Sequence, residues 1–255
     1  MKKRFITTFL FCLMTFGLTG CSASAADTYA VELDGIEYTY EDIGEIEDII
    51  DNQYDIMNFA HKTAEGARAL GYSETSEVIL IAKNEYVSAQ TRMEDCVTAI
   101  DNLKKNFDNQ FSEHEKEYPV ATQIWKYLKQ QGYNDYVCAG IMGNLMTEVG
   151  GQTLALNPYS SNNNYYGMCQ WNKTYFEVWG TDLVSQCQFL NRTMKYEFDT
   201  FGYVYKNGFN FEEFKNLNDE RKAAKAFAKC YERCGSASYG VRQDNAEKAY
   251  EYFVG

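Results

Sequence analysis

Glu148 is the residue through which this chain could do acid chemistry, and its neighbours say what setting to expect. It stands near the end of a segment from Asn134 to Gly151 in which Val137, Ile141, Leu145 and Val149 recur every four residues and share one helical stripe. Asn134 suits the N-cap, Asp135 the first turn, and Gly150-Gly151 the C-terminal stop. Gly140 and Gly143 carry no side chain, which leaves room for a neighbouring helix to come close. Glu148 then falls in the last turn with Ile141, Leu145 and Met146, where the helix dipole and an apolar setting both disfavour a negative charge. A carboxyl kept neutral in this way is the proton donor that general acid catalysis requires.

From Asn157 to Trp171 the chain turns polar, aromatic and glycine-bearing, with no acid in it. Tyr165, Tyr166 and Trp171 offer flat faces for sugar rings. Asn157, Asn164 and Gln170 offer hydrogen bonds to hydroxyl and N-acetyl groups, and Gly167 allows close backbone approach. Helix and loop together read as an acid presented to a sugar-binding cleft.

The order of these residues resembles the phage tail lysozyme family, a branch of the lysozyme-like superfamily. Gly143-Asn144, Glu148, Asn157-Pro158, Tyr166-Gly167 and Gln170-Trp171 follow one another as in that family. The likeness continues through Lys173 to Leu190 and ends at Tyr231-Glu232-Arg233 and Arg242, so it covers the chain from Pro119 onward. The departures are Val149, where the family often has a small polar residue, and Cys234, which stands where a proline is expected. The resemblance implies a lysozyme-like α+β catalytic domain and peptidoglycan as substrate. The bond cut would be the β-1,4 link between N-acetylmuramic acid and N-acetylglucosamine, with Glu148 as general acid and Gln170 beside it.

Composition removes the rival hydrolases. The only two histidines, His61 and His114, both precede residue 119. The second half therefore holds no Cys–His pair, no Ser–His–Asp triad and no histidine-dependent amidase. With no paired Cys-x-x-Cys either, no metal site and no cofactor is expected. A glycosidic oxygen must be protonated before it leaves, and a second carboxylate usually assists. Between Glu148 and Glu177 there is none. Either a later acid completes the site, with Asp182 the better candidate and Asp199 the lesser, or Glu148 works alone as acid and then base while a substrate hydroxyl attacks, as in lytic transglycosylases.

The elements around this centre divide the chain of 255 residues. Lys2, Lys3 and Arg4 precede an apolar run from Phe5 to Leu18, too short to span a bilayer, that ends in Leu18-Thr19-Gly20-Cys21. This looks like a lipoprotein signal over 1–20, with lipid on Cys21 holding the chain at the membrane and a tether over 21–39; the alternative is plain secretion after cleavage at Ala25. Residues 27–118 hold 22 acidic and 7 basic residues, net −15, whereas 119–255 hold 14 of each, so a boundary is expected near Pro119. No basic patch exists for nucleic acid.

After a short extended piece, Tyr29 to Tyr38, apolar residues at three- and four-residue steps, Ile43 to Ala67 and again Ile79 to Phe107, predict an acidic αα-hairpin over 40–118, with Gly71-Tyr72-Ser73 as the turn and Ser73 with Glu74 opening the second helix. Beyond Cys21, the six cysteines of the globular part, Cys96, Cys138, Cys169, Cys187, Cys230 and Cys234, could form disulfides in an exported chain. Residues 119–255 are long enough for one core and read as helices at Val120–Gln131, 134–151, 175–179, Asp182–Phe198, Phe211–Phe214, Asn218–Cys230 and Asn245–Phe253, with a small β element near 157–171. The fold class is mainly α: a lysozyme-like domain behind a helical hairpin. The function expected is a membrane-anchored peptidoglycan glycosidase facing the cell wall. The alternative is a non-catalytic lipoprotein that binds the wall, or an unidentified protein partner, through the hairpin.

Overall fold

A computed structural model describes residues 30–176, 181–202 and 208–255. The leader, Cys21 and the segments 177–180 and 203–207 lie outside the described residues, and with them the end of the helix expected at 175–179. No described helix is long and apolar enough to cross a membrane.

The first described element is a β-hairpin, β1 (Val31–Leu33) and β2 (Ile36–Tyr38), within the segment expected to be extended. Asp34 and Gly35 take φ of 54° and 75°, the left-handed pair that a tight two-residue turn needs. Leu33 and Tyr38 are buried against Ile46, Cys96, Ile100 and Leu103, so hydrophobic burial holds this segment onto the helices that follow. Those helices are α1 (Ile43–Ala69) and α2 (Glu77–Gln110). Their seam is lined with Ala60, Ala64, Ala67, Ala82 and Ala89, whose small side chains let two long helices lie close with no third layer. The second helix starts later than Ser73. Glu74 stays in the turn and accepts from Arg68 at 2.6 Å and Lys83 at 2.7 Å, which holds its carboxyl far down, at about 2.

The acidic half does not end at a clean surface. After α3 (Ser112–Glu117), Pro119 opens α4 (Pro119–Gln130) at its first turn, where a missing N–H costs nothing. Tyr40 stacks on Phe107 at 3.9 Å, and Phe107 and Phe111 lie in the same core as Trp125, which stacks on Phe253 at 4.4 Å. His114 adds a hydrogen bond of 2.9 Å between its Nε2 and the Tyr252 carbonyl.

The second half is built around α5 (Asp135–Val149), in which every residue from Val137 to Met146 is buried. Asn134 caps it by accepting from Val137 N–H at 3.0 Å. Around it pack α9 (Glu220–Cys230) and α10 (Tyr239–Phe253). Two glycines fix that geometry. A Cβ on Gly140 would lie 2.5 Å from Ala223 Cβ, and one on Gly143 would lie 2.5 Å from the Ala246 nitrogen. Only glycine lets α9 and α10 seat at this distance. A three-stranded antiparallel sheet, β3 (Ser161–Asn162), β4 (Tyr165–Tyr166) and β5 (Trp171–Asn172), carries the loop. The short α6 (Lys173–Phe176), α7 (Leu183–Glu197), a π-turn at Phe198–Gly202 and α8 (Phe211–Lys215) close the other side. The whole is mainly helical, with a helical hairpin ahead of the domain built on α5.

The disulfides expected of an exported chain do not form among the described residues. Cys96, Cys138, Cys169, Cys187, Cys230 and Cys234 are free thiols. Their thiols are used in packing and local hydrogen bonds: Cys96 fills the hairpin seam, Cys138 donates to the Tyr133 carbonyl at 3.6 Å, and Cys234 donates to the Ala228 carbonyl at 3.5 Å.

Candidate active site

Glu148 does not end up in an apolar setting. Its side chain, 21% exposed, forms an ion pair with Arg242 from α10, which is itself only 5% exposed. Arg242 Nη1 donates to Asn144 Oδ1 at 2.9 Å, and its Nε reaches Ser238 Oγ at 3.4 Å. Asn144 is wholly buried, and its amide donates to the carbonyls of Gly140 at 2.8 Å and Ala224 at 3.0 Å. Three helices are thus tied to one carboxylate at the place where Gly140 and Gly143 bring them together.

A second carboxyl faces the same arginine. Glu232 follows α9 and is turned inward where Arg233 adopts φ of 54° and Cys234 N–H bonds back to the Ala228 carbonyl at 3.1 Å. A left-handed non-glycine residue costs about 1 kcal/mol, so packing must hold it there. The residue as a whole keeps some exposure, but its Oε1 is sealed and has no hydrogen-bond partner. Burial pushes the Glu232 carboxyl up to about 8, helped by the charge of Glu148. Arg242, a hydrogen bond from the Cys169 thiol and Arg233 pull the other way and do not prevail. The Glu148 charge thus adds to the burial that favours the neutral form of Glu232. The acid whose surroundings favour the neutral form is therefore Glu232, a residue that the sequence marked only as the end of a resemblance.

With this geometry in place, the phage tail lysozyme family matches residues 119–253. The chain belongs to the phage tail lysozyme family. No curated protein and no solved structure matches it significantly. Membership makes this a lysozyme-like protein of the class that cleaves peptidoglycan.

In this lysozyme-like domain the loop is fastened to the acid helix by Asn157 N–H, which donates to the Val149 carbonyl at 3.2 Å. Buried Gln186, unremarked in the sequence, pins it from below: its amide donates to the carbonyls of Pro158 and Thr181, both at 2.9 Å, and its Oε1 accepts from Met168 N–H at 2.9 Å. Cys169 then lies close enough to both Glu148 and Glu232 to feel their charges, which push its buried thiol further up. Gln170, next in sequence, has φ of 47° and turns its amide onto the carbonyls of Gly167 at 2.9 Å and Ser160 at 3.2 Å. It braces the loop. Trp171 is half-buried, with its indole N–H on Tyr231 Oη at 3.1 Å and its ring edge-on to Phe189. It joins the loop to the turn that carries Glu232. Tyr166 is half-buried, Tyr165 is half-exposed, and Asn157 is exposed with its Oδ1 accepting from Tyr159 N–H at 3.1 Å. Gly167 serves a turn, with φ of 83°.

The two late acids are otherwise employed. Asp182 is an exposed N-cap of α7, with Ser185 N–H on one oxygen at 3.0 Å and Ser185 Oγ on the other at 2.6 Å, which hold its carboxyl down. Asp199 pairs with Lys195 at 2.8 Å and accepts from Phe211 N–H at 3.0 Å at the start of α8. Both carboxylates are consumed by local structure. An open groove lies elsewhere, between α1 and α2 at Ile56 and Phe59; its acids, Asp55 and Glu85, are exposed, and no buried ionisable pair lies there.

Proposed function

We propose that residues 119–255 form a muramidase that hydrolyses the β-1,4 bond between N-acetylmuramic acid and N-acetylglucosamine, with Glu148 and Glu232 as its acid–base couple. The observation that carries this reading is the Glu148–Arg242 ion pair at the end of α5, with the buried Glu232 carboxyl within the field of both. Glu148 keeps a solvent-reaching side chain and meets the glycosidic oxygen. Glu232, buried, retains a proton in the couple at neutral pH. Delivery of that proton through Glu148 releases the leaving sugar as an alcohol, the glycosidic C–O bond breaks, and water adds to the resulting oxocarbenium ion while the couple takes a proton back. The half-exposed Tyr165 and the polar edge of Asn157 lie on the loop beside the acids and serve as sugar contacts, with Tyr166 and Trp171 as the wall behind them.

Mass spectrometry of the digest tests the step. Hydrolysis leaves reducing ends. A transglycosylase, in which the muramic acid 6-hydroxyl attacks in place of water, leaves 1,6-anhydro ends lighter by one water. A digest dominated by anhydro ends would replace the nucleophile in this reading. Tight wall binding with no cleavage would instead favour a binding lipoprotein. We further propose that lipid on Cys21 holds the enzyme on the outer face of the membrane; a Cys21→Ser variant should then leave the membrane fraction for the medium.

A further inference from the structure

We infer that Arg242, oriented by Asn144, is the positioning residue of the acid couple: it fixes the Glu148 carboxylate and supplies the permanent positive charge around which the two carboxyls work. The inference rests on the proposed couple and deepens it.

The orientation is over-determined. Asn144 has its amide committed to two main-chain carbonyls, Gly140 and Ala224, which accept only donors, so its Oδ1 must face α10. That oxygen takes Arg242 Nη1 at 2.9 Å and leaves Nη2 aimed at Glu148. A planar guanidinium spans both partners; a lysine ammonium, being one point, cannot hold both in the same geometry. Arg242 is 4% exposed and Asn144 fully buried, so water does not substitute for either. The groups that face Arg242 are Glu148 on α5, Glu232 and Cys234 after α9, and Tyr239 on its own helix. Those that face Glu232 are Glu148, Arg242, Cys169 on the loop, Arg233 beside it and Tyr231. Among them Arg242 is the cation shared by both carboxyls.

The sign follows. Arg242 favours the charged form of Glu232, so without it Glu232 keeps its proton to higher pH. Activity that needs this proton should then persist to higher pH, although at a lower rate because Glu148 is no longer held.

The test measures kcat and KM on purified peptidoglycan from pH 5 to 10 for the parent, Arg242→Gln and Arg242→Lys, with thermal melts to confirm folding. For Arg242→Gln, kcat should drop by about 10²-fold with KM little changed, and the alkaline limb should move up by roughly one pH unit. Arg242→Lys should return the limb to the parental position and recover only part of kcat. A limb that stays put in a folded Arg242→Gln protein, or one that moves equally in Arg242→Lys, overturns the inference. Glu148→Gln and Glu232→Gln controls separate the layers: if both remain active the couple itself is wrong, whereas if both are inactive and the Arg242 limb is unmoved, only this positioning role fails.

Discussion

Replacing Glu232 with glutamine should make the protein more stable and less active at once. In the folded protein this carboxyl is raised from an ordinary value of 4.5 to about 8, with burial the leading cause. Below pH 4.5 the group is protonated in folded and unfolded chains alike and favours neither. Between pH 4.5 and 8 the unfolded chain releases the proton and the folded one keeps it, so folding stability falls as pH rises. The slope is about 1.4 kcal/mol per pH unit, which accumulates to about 3 kcal/mol by pH 7. Glutamine has the same shape and no proton to lose, so the variant escapes this penalty. Urea unfolding of both proteins at pH 4.5, 6, 7 and 8 isolates the effect, because titrating groups that do not interact with Glu232 cancel in the difference. The difference should be near zero at pH 4.5 and grow to several kcal/mol by pH 8, while turnover of peptidoglycan drops by about 10²-fold or more. A difference that is flat with pH would refute the buried, proton-holding carboxyl.

Other expectations follow from the packing. Gly143→Ala puts a Cβ 2.5 Å from the Ala246 nitrogen and 2.8 Å from its Cα, so α10 must shift and carry Arg242 with it; a loss of about 1–3 kcal/mol together with most of the activity is expected from melting and turnover. Residues 119–255 alone lose Phe107 and Phe111 from the Trp125–Phe253 core, at about 1.5–3 kcal/mol per ring. That fragment should melt well below the full chain, and an equal melting temperature would show that the core stops at residue 118. Dithiothreitol should leave the melting temperature of the full chain unchanged, since its described cysteines are all free thiols.

The acid helix was readable because its signals are local. The Asn134 cap, the four-residue stripe and the terminal glycines lie within one segment, and Gly140 and Gly143 already announced close neighbours. The hairpin seam was readable for the same reason, and the Asp34-Gly35 turn folds the extended piece before it into a β-hairpin. What decides the site is not local. Glu232 is 84 positions from Glu148 and Arg242 is 94, and only the packing of α9 and α10 on two glycines makes them meet. The helix that carries Arg242 begins at Tyr239, ahead of the apolar pattern from Asn245 that marked it. Asp182 attracted notice by type and position, yet an aspartate three residues before a serine at a helix start is a cap signature, and capping is what the structure uses it for. The apolar setting foreseen for Glu148 failed because an arginine from a distant helix fills it.

The central claim is that Glu148 meets the glycosidic bond. Its most direct test is release of reducing ends from purified peptidoglycan by the parent and by Glu148→Gln, with circular dichroism and wall pull-down as controls. Glutamine preserves size and can still face Arg242, but it cannot pass on a proton. Release should fall by ~10²–10⁴-fold while folding and wall binding persist. A well-folded Glu148→Gln protein that digests peptidoglycan at the parental rate would contradict the claim.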